Sequence, residues 1–291
     1  MIYMSNPWKY ILSLLTLVSV TIWLAVIYYP EPKLHLIACD VGQGDAILAV
    51  YGKTQILVDG GPNNSVLSCL SNNLPFWDRE IELVILTHPQ TDHYTGLIEV
   101  FRRYSINKLL ANSIDSGAFA YQVLKNEVGG SGTEVVYPTA GMVIRLGLMH
   151  LDILNPSEEL ISSKSVAKSE SLSAKVLGTR TTEEDPNDFS VVAILTFGEF
   201  NALLTGDMGP AISNKIAERL VVSGSRTIEY LKVPHHGSKN GISRELLAAS
   251  DPEIAVISAG RGNRYGHPHQ EVIKLLNDPP AGGEIKILRT D

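Results

Sequence analysis

The apolar run IELVIL, residues 81–86, leads directly into THPQTDHYTG, residues 87–96. Six residues of mostly aliphatic character bounded by a turn signal read as a buried strand. Immediately after it stand His88, Asp92 and His93. A strand that emerges from a core and ends in imidazole and carboxylate groups restricts the chain to folds whose sheet ends carry the chemistry. Imidazole nitrogens and carboxylate oxygens suit Zn, Mn or Fe. Gln90 stands where a second strong ligand is expected, and a neutral amide oxygen is a weaker donor than either.

The same pattern recurs downstream. LLTGDMG brings Asp207 out of an apolar strand through Gly206, although a lone Asp after a strand is more often a turn or cap residue. LKVPHHGS places His235 and His236 side by side after another strand, between Pro234 and Gly237. NRYGHPHQ sets His267 and His269 ahead of a helical stretch, where surface and helix-start roles are the simpler reading. His88, His93, His235, His236 and His267 are five of the eight histidines in the chain. Satisfied structural histidines do not ordinarily gather at strand ends in this way.

Between these segments the periodicity alternates. Strands are expected over 34–38, 46–50, 55–58, 82–86, 106–110, 133–136, 142–146, 149–154, 190–197, 201–205, 228–233, 253–258 and 285–288. Helices are expected over 65–70, 96–104, 119–128, 210–222, 242–249 and 270–276. Hairpins mixed with α/β units argue for an α/β fold of sheets packed face to face with helices outside. Residues 157–186, rich in Ser, Lys, Thr and Glu, read as a mobile loop. Gly42-Gln43-Gly44 is not a dinucleotide loop: it lacks the last glycine and runs into a strand.

Residues 10–29, YILSLLTLVSVTIWLAVIYY, carry no charge. As a helix they span about 30 Å, the thickness of a bilayer's hydrocarbon core. Trp8, Tyr10, Tyr28 and Tyr29 sit at the ends like interfacial aromatics, and Pro30 and Pro32 stop the helix. Bulky residues fill the place where a signal peptide would carry a small-residue cleavage site, so an uncleaved anchor is expected. Lys9 precedes the span, whereas Glu31 and Lys33 cancel after it. The positive-inside rule then puts a short N-terminus, residues 1–9, in the cytoplasm and the domain of residues 33–291 outside the membrane.

The net charge of −7 excludes a surface that is basic all round, though not a local basic patch. Cys39 and Cys69 lie far from the His/Asp segments and do not form a zinc framework. They read as two buried small residues, a disulfide between them being the lesser expectation and one confined to an oxidising compartment.

Taken in order, DVGQGDAILAV, ILVDGG, THPQTDHYTG, ALLTGDMG, LKVPHHGSKNG and NRYGHPHQEVI resemble the metallo-β-lactamase fold. More narrowly, they are similar to the extracytoplasmic metallo-β-lactamase domain of the competence protein ComEC. The resemblance runs from Leu34 to Asp291, without the polytopic channel region. It looks like a free-standing form tied to one membrane helix. The likeness implies an αββα sandwich preceded by one transmembrane helix, with one or two divalent ions, Mn or Zn, at the strand ends. It implies His88, Asp92 and His93 as ligands, Gln90 as a weak one, Asp207 as a bridge between metals, and His235 or His236 as the last ligand, with His236 favoured. Asn187, Asp188 and Ser190 match the family's Asn-Asp-x-Ser stretch. Asp45 and Asp59 are expected beside the site, as orienting groups or as turn caps.

The family usually has Asp or His at the position of Gln90, so the metal shared by His88 and Gln90 is the one placed in doubt. Relatives also run on past Arg-Thr-Asp, so an end at Asp291 reads as a truncation. The chemistry implied is metal-assisted hydrolysis of a phosphodiester, plausibly DNA outside the membrane. Asp92 would orient or deprotonate the water, and His267, or the spare histidine of the pair, would protonate the leaving group. Lys232, Lys239, Arg261 and Arg264 lend the site a positive sign, each with surface charge as its plainer reading. A cell-wall phosphodiester, a phosphocholine ester or a β-lactam remains an alternative substrate, and a metal-depleted binding domain an alternative role.

Overall fold

The computed structural model describes residues 7–27, 33–168, 176–222 and 227–291. An apolar helix, α1 (Pro7–Ile27), comes first, with proline at its first position, where the missing N–H costs nothing. It is long and apolar enough to cross a bilayer, and the side chains described on it are exposed. A signal sequence at an N-terminus would pass the same test. Tyr28, Tyr29, Pro30 and Pro32, expected at the end of the span, lie outside the described residues.

The first sheet has six strands in chain order: β1 (Leu34–Ala38), β2 (Ile47–Tyr51), β3 (Thr54–Val58), β4 (Glu80–Leu86), β5 (Ser105–Ala111) and β6 (Glu134–Val136). The first three form an antiparallel meander, with Gly52 at positive φ in the turn between β2 and β3. From β3 onward the pairings are parallel, because α2 (Ser65–Asn73), α3 (Thr91–Arg103) and α4 (Phe119–Ser131) act as crossovers. These helices cover one face of the sheet through Val66, Leu70, Leu97, Val100, Tyr121 and Leu124.

The second sheet contains β7 (Val143–Leu146) and β8 (Met149–Asn155), then β11 (Val192–Phe197), β12 (Phe200–Leu204), β13 (Tyr230–Lys232), β14 (Ile254–Ile257) and β15 (Lys286–Arg289). Its order is β15-β14-β13-β12-β11-β8-β7. Helices α6 (Pro210–Val222), α7 (Arg244–Ser250) and α8 (Gln270–Asn277) cover its outer face through Ile212, Ile216, Leu246, Leu247, Val272 and Leu276. Ile47, Ile56, Leu83, Ile85, Leu151, Leu195 and Leu204 fill the space between the sheets. Four layers therefore stack as helices, sheet, sheet and helices. Strands buried on both faces read as continuous apolar runs, which is why they were visible in the sequence.

Three details differ from the sequence reading. Helix α3 begins at Thr91 rather than 96, so Asp92 and His93 lie on its first turn and not in a loop. Of residues 157–186, expected as one mobile loop, 169–175 lie outside the described residues, and the described parts are not irregular throughout. Ser157 caps α5 (Glu158–Lys164), and β9 (Val166–Ala167) pairs antiparallel with β10 (Arg180–Thr181). Arg180 holds this ribbon to the end of α5 through Ser165 and Ile161, an arrangement of polar contacts that composition does not reveal. Third, Cys39 and Cys69 form a disulfide, joining the end of β1 to α2.

Gly96 shows how tightly α3 sits. A Cβ there would come 2.0 Å from the carbonyl oxygen of Gly60 and 2.5 Å from that of Asn63. The Gly96 N–H instead donates to the Gly61 carbonyl. Gly96→Ala is expected to push α3, and with it Asp92 and His93, off the β3–α2 connection, and a thermal midpoint equal to wild type would refute this packing. The disulfide closes a loop over a sequence separation of 30. The chain-entropy argument assigns such a cross-link about 3–4 kcal/mol. Reductant should therefore lower the melting temperature by several degrees in wild type and leave a Cys39→Ser/Cys69→Ser double variant unmoved. Equal response of both proteins would show that the bridge does not form.

Candidate metal centre

The ends of β3, β4, β12 and β13 meet at one edge of the sheets, and each contributes a polar group. Asp59 follows β3 at positive φ, 60°, a conformation that Asp tolerates better than most side chains. Its Oδ1 accepts from the Thr87 N–H at 2.8 Å, and its Oδ2 from the Thr87 hydroxyl at 2.7 Å. Nδ1 of His93 lies 2.8 Å from the same Oδ2. Asp59 thus fixes the turn and orients the His93 ring at once, the two roles that the sequence left open. His93 Nε2 is turned away toward Asp207.

His236 is aimed by its backbone. His235 and His236 both take left-handed angles, with φ of 52° and 55°. Strain of this kind persists only where the surroundings hold it in place. It reverses the chain and turns His236 inward, where its Nδ1 meets the Ser258 carbonyl at 2.9 Å. His235 points the other way and is partly exposed.

Nε2 of His93 and Nε2 of His236 lie 3.2 and 3.1 Å from Asp207 Oδ2. Neither makes an aligned hydrogen bond, although both are buried. Asp92 Oδ2 is 3.5 Å from His236 Nε2. Ligand atoms of Asp92, His93, Asp207 and His236 all fall within 4.8 Å of one another. Two imidazole nitrogens and two carboxylate oxygens aimed at one point, each ring fixed through its other nitrogen, fit a divalent ion. Buried Nε2 atoms without an aligned partner support the same fit.

Electrostatics bind the set together. Burial pushes His93 and His236 toward the neutral form, but Asp207 with Asp59, and Asp207 with Asp45, outweigh it and hold both rings well above their ordinary range. Burial likewise works against the Asp207 carboxylate, yet His236, His93 and Lys232 keep it well below. Asp92 is lowered by His236 and His93 against a burial effect in the opposite direction.

Lys232 is the residue that sequence reasoning placed wrongly. Taken for surface charge near the site, it is fully buried beneath it. Its ammonium pairs with Asp45 Oδ2, donates to the Gly206 carbonyl at 3.1 Å and lies 3.5 Å from Asp207 Oδ1. Burial disfavours its charge, but Asp45 and Asp207 hold its pKa up. The signal was present in YLKV, a lysine inside an apolar strand, but its carboxylate partners lie far away in the chain.

His88 stands apart. Its ring is buried beside His93, with centroids 4.1 Å apart, and its Nε2 has no hydrogen bond among the described residues. Burial, and then His93, bring its pKa down to about 3. Gln90 donates its amide to Asn187 Oδ1 at 2.8 Å. Ser190 accepts from the Asp207 N–H at 3.3 Å, which steadies the turn that carries Asp207. Asp188, raised by burial and by Asp185, packs against Gly209 at the start of α6 and does not enter the cleft.

The metal-ligand set opens onto a cleft of about 530 Å³, lined by Gln43, Gln90, Asp92, His235, Arg264 and His267, with Tyr265 at its mouth. Arg264 lies over the Tyr265 ring at 4.9 Å, and the Tyr265 and His267 rings stack. Gln43, which the sequence reading passed over, accepts from the Gly260 N–H and reaches His267 Nδ1 at 3.4 Å, tying the two sheets together across the cleft. Burial, then His236 and His235, lower His267 to about 4. The ring is therefore neutral at pH 7, which suits a hydrogen-bonding group or proton acceptor better than the proton donor first expected. Lys239 is exposed and does not line the cleft; only its backbone N–H contacts His269.

The profile of the metallo-beta-lactamase superfamily matches residues 39–261. The chain belongs to that superfamily. Among curated proteins it is 26% identical over 272 residues to ComE operon protein 3 of Bacillus subtilis, and 29% identical over 251 residues to Recombination protein 2 of Haemophilus influenzae. Those matches cover 87% and 85% of this chain but only 31% and 27% of the relatives, so it spans under a third of their length. Among solved structures, the metallo-beta-lactamase fold protein YhfI from Bacillus subtilis superposes with a TM-score of 0.53 at 13% identity, over 88% of this chain and 96% of that one. CmlA, a diiron beta-hydroxylase from Streptomyces venezuelae, superposes with a TM-score of 0.52 at 17% identity, over 90% and 53%. These likenesses concern the fold. Superfamily members are usually metal-dependent hydrolases, but the hydroxylase shows that the fold alone does not fix the reaction.

Asp59→Asn keeps the shape of the side chain but weakens its hold on His93. Removal of such an orienting partner typically costs about 10–100-fold in metal affinity. Titration of the purified protein with Zn²⁺ or Mn²⁺ should show that loss for Asp59→Asn and a larger one for His236→Ala, whereas His235→Ala should bind as wild type does. Loss of binding in His235→Ala alone would reverse the assignment within the pair.

Proposed function

We propose that this chain is a membrane-anchored, metal-dependent phosphodiesterase that cleaves DNA outside the cytoplasmic membrane. The observation that carries the reading is the cluster of Asp92, His93, Asp207 and His236 at the floor of a cleft whose mouth presents Arg264 and Tyr265. An exposed guanidinium beside an aromatic face suits a phosphate next to a base. The names of the curated relatives, a competence-operon product and a recombination protein, point to DNA as well. The Cys39–Cys69 disulfide supports a domain outside the reducing cytosol, in line with the orientation read from Lys9.

Asp92, His93, Asp207 and His236 would hold one ion, Mn or Zn. Bound there, it supplies Lewis acidity, lowering the pKa of water and drawing charge from a phosphoryl oxygen. The chain does the rest. Asp59 and the Ser258 carbonyl hold the two imidazoles in the tautomer that leaves Nε2 free. Asp92, ionised and partly exposed at the cleft, orients the attacking water and accepts its proton. Arg264 holds the phosphate, and neutral His267, steadied by Gln43, hydrogen-bonds an oxygen of the scissile group. Attack forms one P–O bond, the bond to the leaving oxygen breaks, and that oxygen takes up the proton that Asp92 accepted, through solvent in the cleft.

A second ion at His88 lacks donors of matching strength. The Gln90 amide is engaged with Asn187, and Asp207 is the one carboxylate shared with the first set. Gln90→Asp should raise the bound metal from about one to about two per chain, the number that a two-metal site holds. Two ions in the wild-type protein would show that Gln90 serves as a full ligand.

The decisive assay is cleavage of single-stranded DNA by the full chain in detergent, loaded with Mn²⁺ or Zn²⁺. Cleavage that disappears in Asp207→Ala while the fold persists supports the proposal. No cleavage by a folded, metal-loaded protein removes DNA as substrate and turns the search to cell-wall phosphodiesters.

A further inference from the structure

The metal centre occupies one end of the sheets, and the opposite end carries a different surface. Helix α2 runs back from the site and delivers Pro75, Phe76 and Trp77 there. Asp78, next in the chain, accepts from the Gln55 side chain at 2.9 Å, at the start of β3. Leu34, the first residue of β1, pairs with Tyr51, and Tyr51 with Thr54. Phe76, Trp77 and the point where the chain arrives from α1 therefore share one end of the first sheet.

The second sheet adds to it. Tyr51 meets Phe197 with ring centroids 4.8 Å apart, and Phe197 pairs with Met149, so the β7–β8 turn with Leu148 lies at the same end. Helix α6 leaves the site after Asp207 and returns the chain to the start of β13, which puts Val221 and Val222 there too. Phe76 is 77% exposed, Leu148 61% and Val222 87%. Large apolar side chains that gather on one face of a monomer mark an interaction surface.

We infer that this face rests on the lipid bilayer, with Phe76, Trp77, Leu148, Val221 and Val222 at the level of the headgroups, and that the metal cleft opens away from the membrane. The inference rests on α1 being a membrane span. Continuity with that span selects lipid as the occupant: from Ile27 to Leu34 the chain can bridge at most about 25 Å. Phe and Trp suit the interface, where an aromatic ring finds apolar tails below and water above. Lys53, Arg79 and Glu199 at the same end carry both signs, so apolar contact and not charge makes the fit. Seven residues of β4 set the cleft roughly 20 Å beyond the bilayer surface. The enzyme would then draw a water-borne polymer, not a lipid.

The test uses the full chain with Trp8→Phe and Trp23→Phe, which leaves Trp77 as the only tryptophan of three. The protein is reconstituted in phosphatidylcholine–phosphatidylglycerol vesicles whose acyl chains are brominated. Trp77 emission should fall, as expected of a tryptophan at the interface. A second reporter, Trp77→Phe with Phe119→Trp in the same background, reads the start of α4 at the metal end and should keep its emission. Equal quenching or equal protection of the two reporters overturns the docking surface while leaving the anchor intact. A protein that fails to float with the vesicles overturns the span, and the surface with it.

Discussion

The arrangement depends on keeping charge inside a protein without water. Asp45, Asp59 and Asp207 are buried at the strand ends, and Lys232 is buried among them. With Asp92 beside them in the ligand set, these carboxylates outnumber the one ammonium. Isolated buried charges are costly, so the surroundings must supply the balance. In the metal-free chain the surplus is met by protons on His93 and His236, which is why both rings are held well above their ordinary range. A divalent ion at the Nε2 atoms would displace protons held there, so the site suits a cation by charge as well as by geometry.

This balance explains features that otherwise look unrelated. Lys232 tolerates burial because Asp45 and Asp207 flank it, and Asp45 in turn lies 3.4 Å from His236 Nδ1. The left-handed pair His235–His236 bears backbone strain so that one imidazole enters the cluster while its neighbour lines the cleft. Gly96 lets α3 pack against the Gly60 and Asn63 carbonyls, which brings the first turn of that helix, with Asp92 and His93, over the sheet end. Aspartate on the first turn also lies at the positive end of the helix dipole, which favours its ionised form.

Much of this was legible in the sequence, and the reason is physical. Strands buried on both faces write themselves as apolar runs, and the groups at their ends, His88, Asp92, His93, Asp207 and the His235–His236 pair, follow those runs directly. What stayed hidden depends on contacts between distant segments. Lys232 finds Asp45 across the two sheets, and Gln43 finds Gly260 and His267 from a glycine turn that reads in the sequence only as part of the family's DVGQGD stretch. Cys39 and Cys69 meet only once α2 has packed on the first sheet. The 157–186 segment looked irregular because its order comes from Ser157 and Arg180 capping and bridging backbone groups, not from an apolar stripe. His235 and His236 are not separated by residue type, since both share the left-handed backbone and differ in which way the reversed chain turns each ring.

Gln90 puts a neutral side chain at the edge of the metal-ligand set. An anionic side chain in its place would need a cation to offset the added charge, and an imidazole would need an aligned partner for its ring. The neutral amide needs neither and instead donates to Asn187. Burial, and then His93, hold His88 neutral. The four-ligand set at Asp207 does not include Gln90. On the one-ion reading proposed above, the neutral amide separates the capacity to bind an ion at all from the capacity to bind a pair.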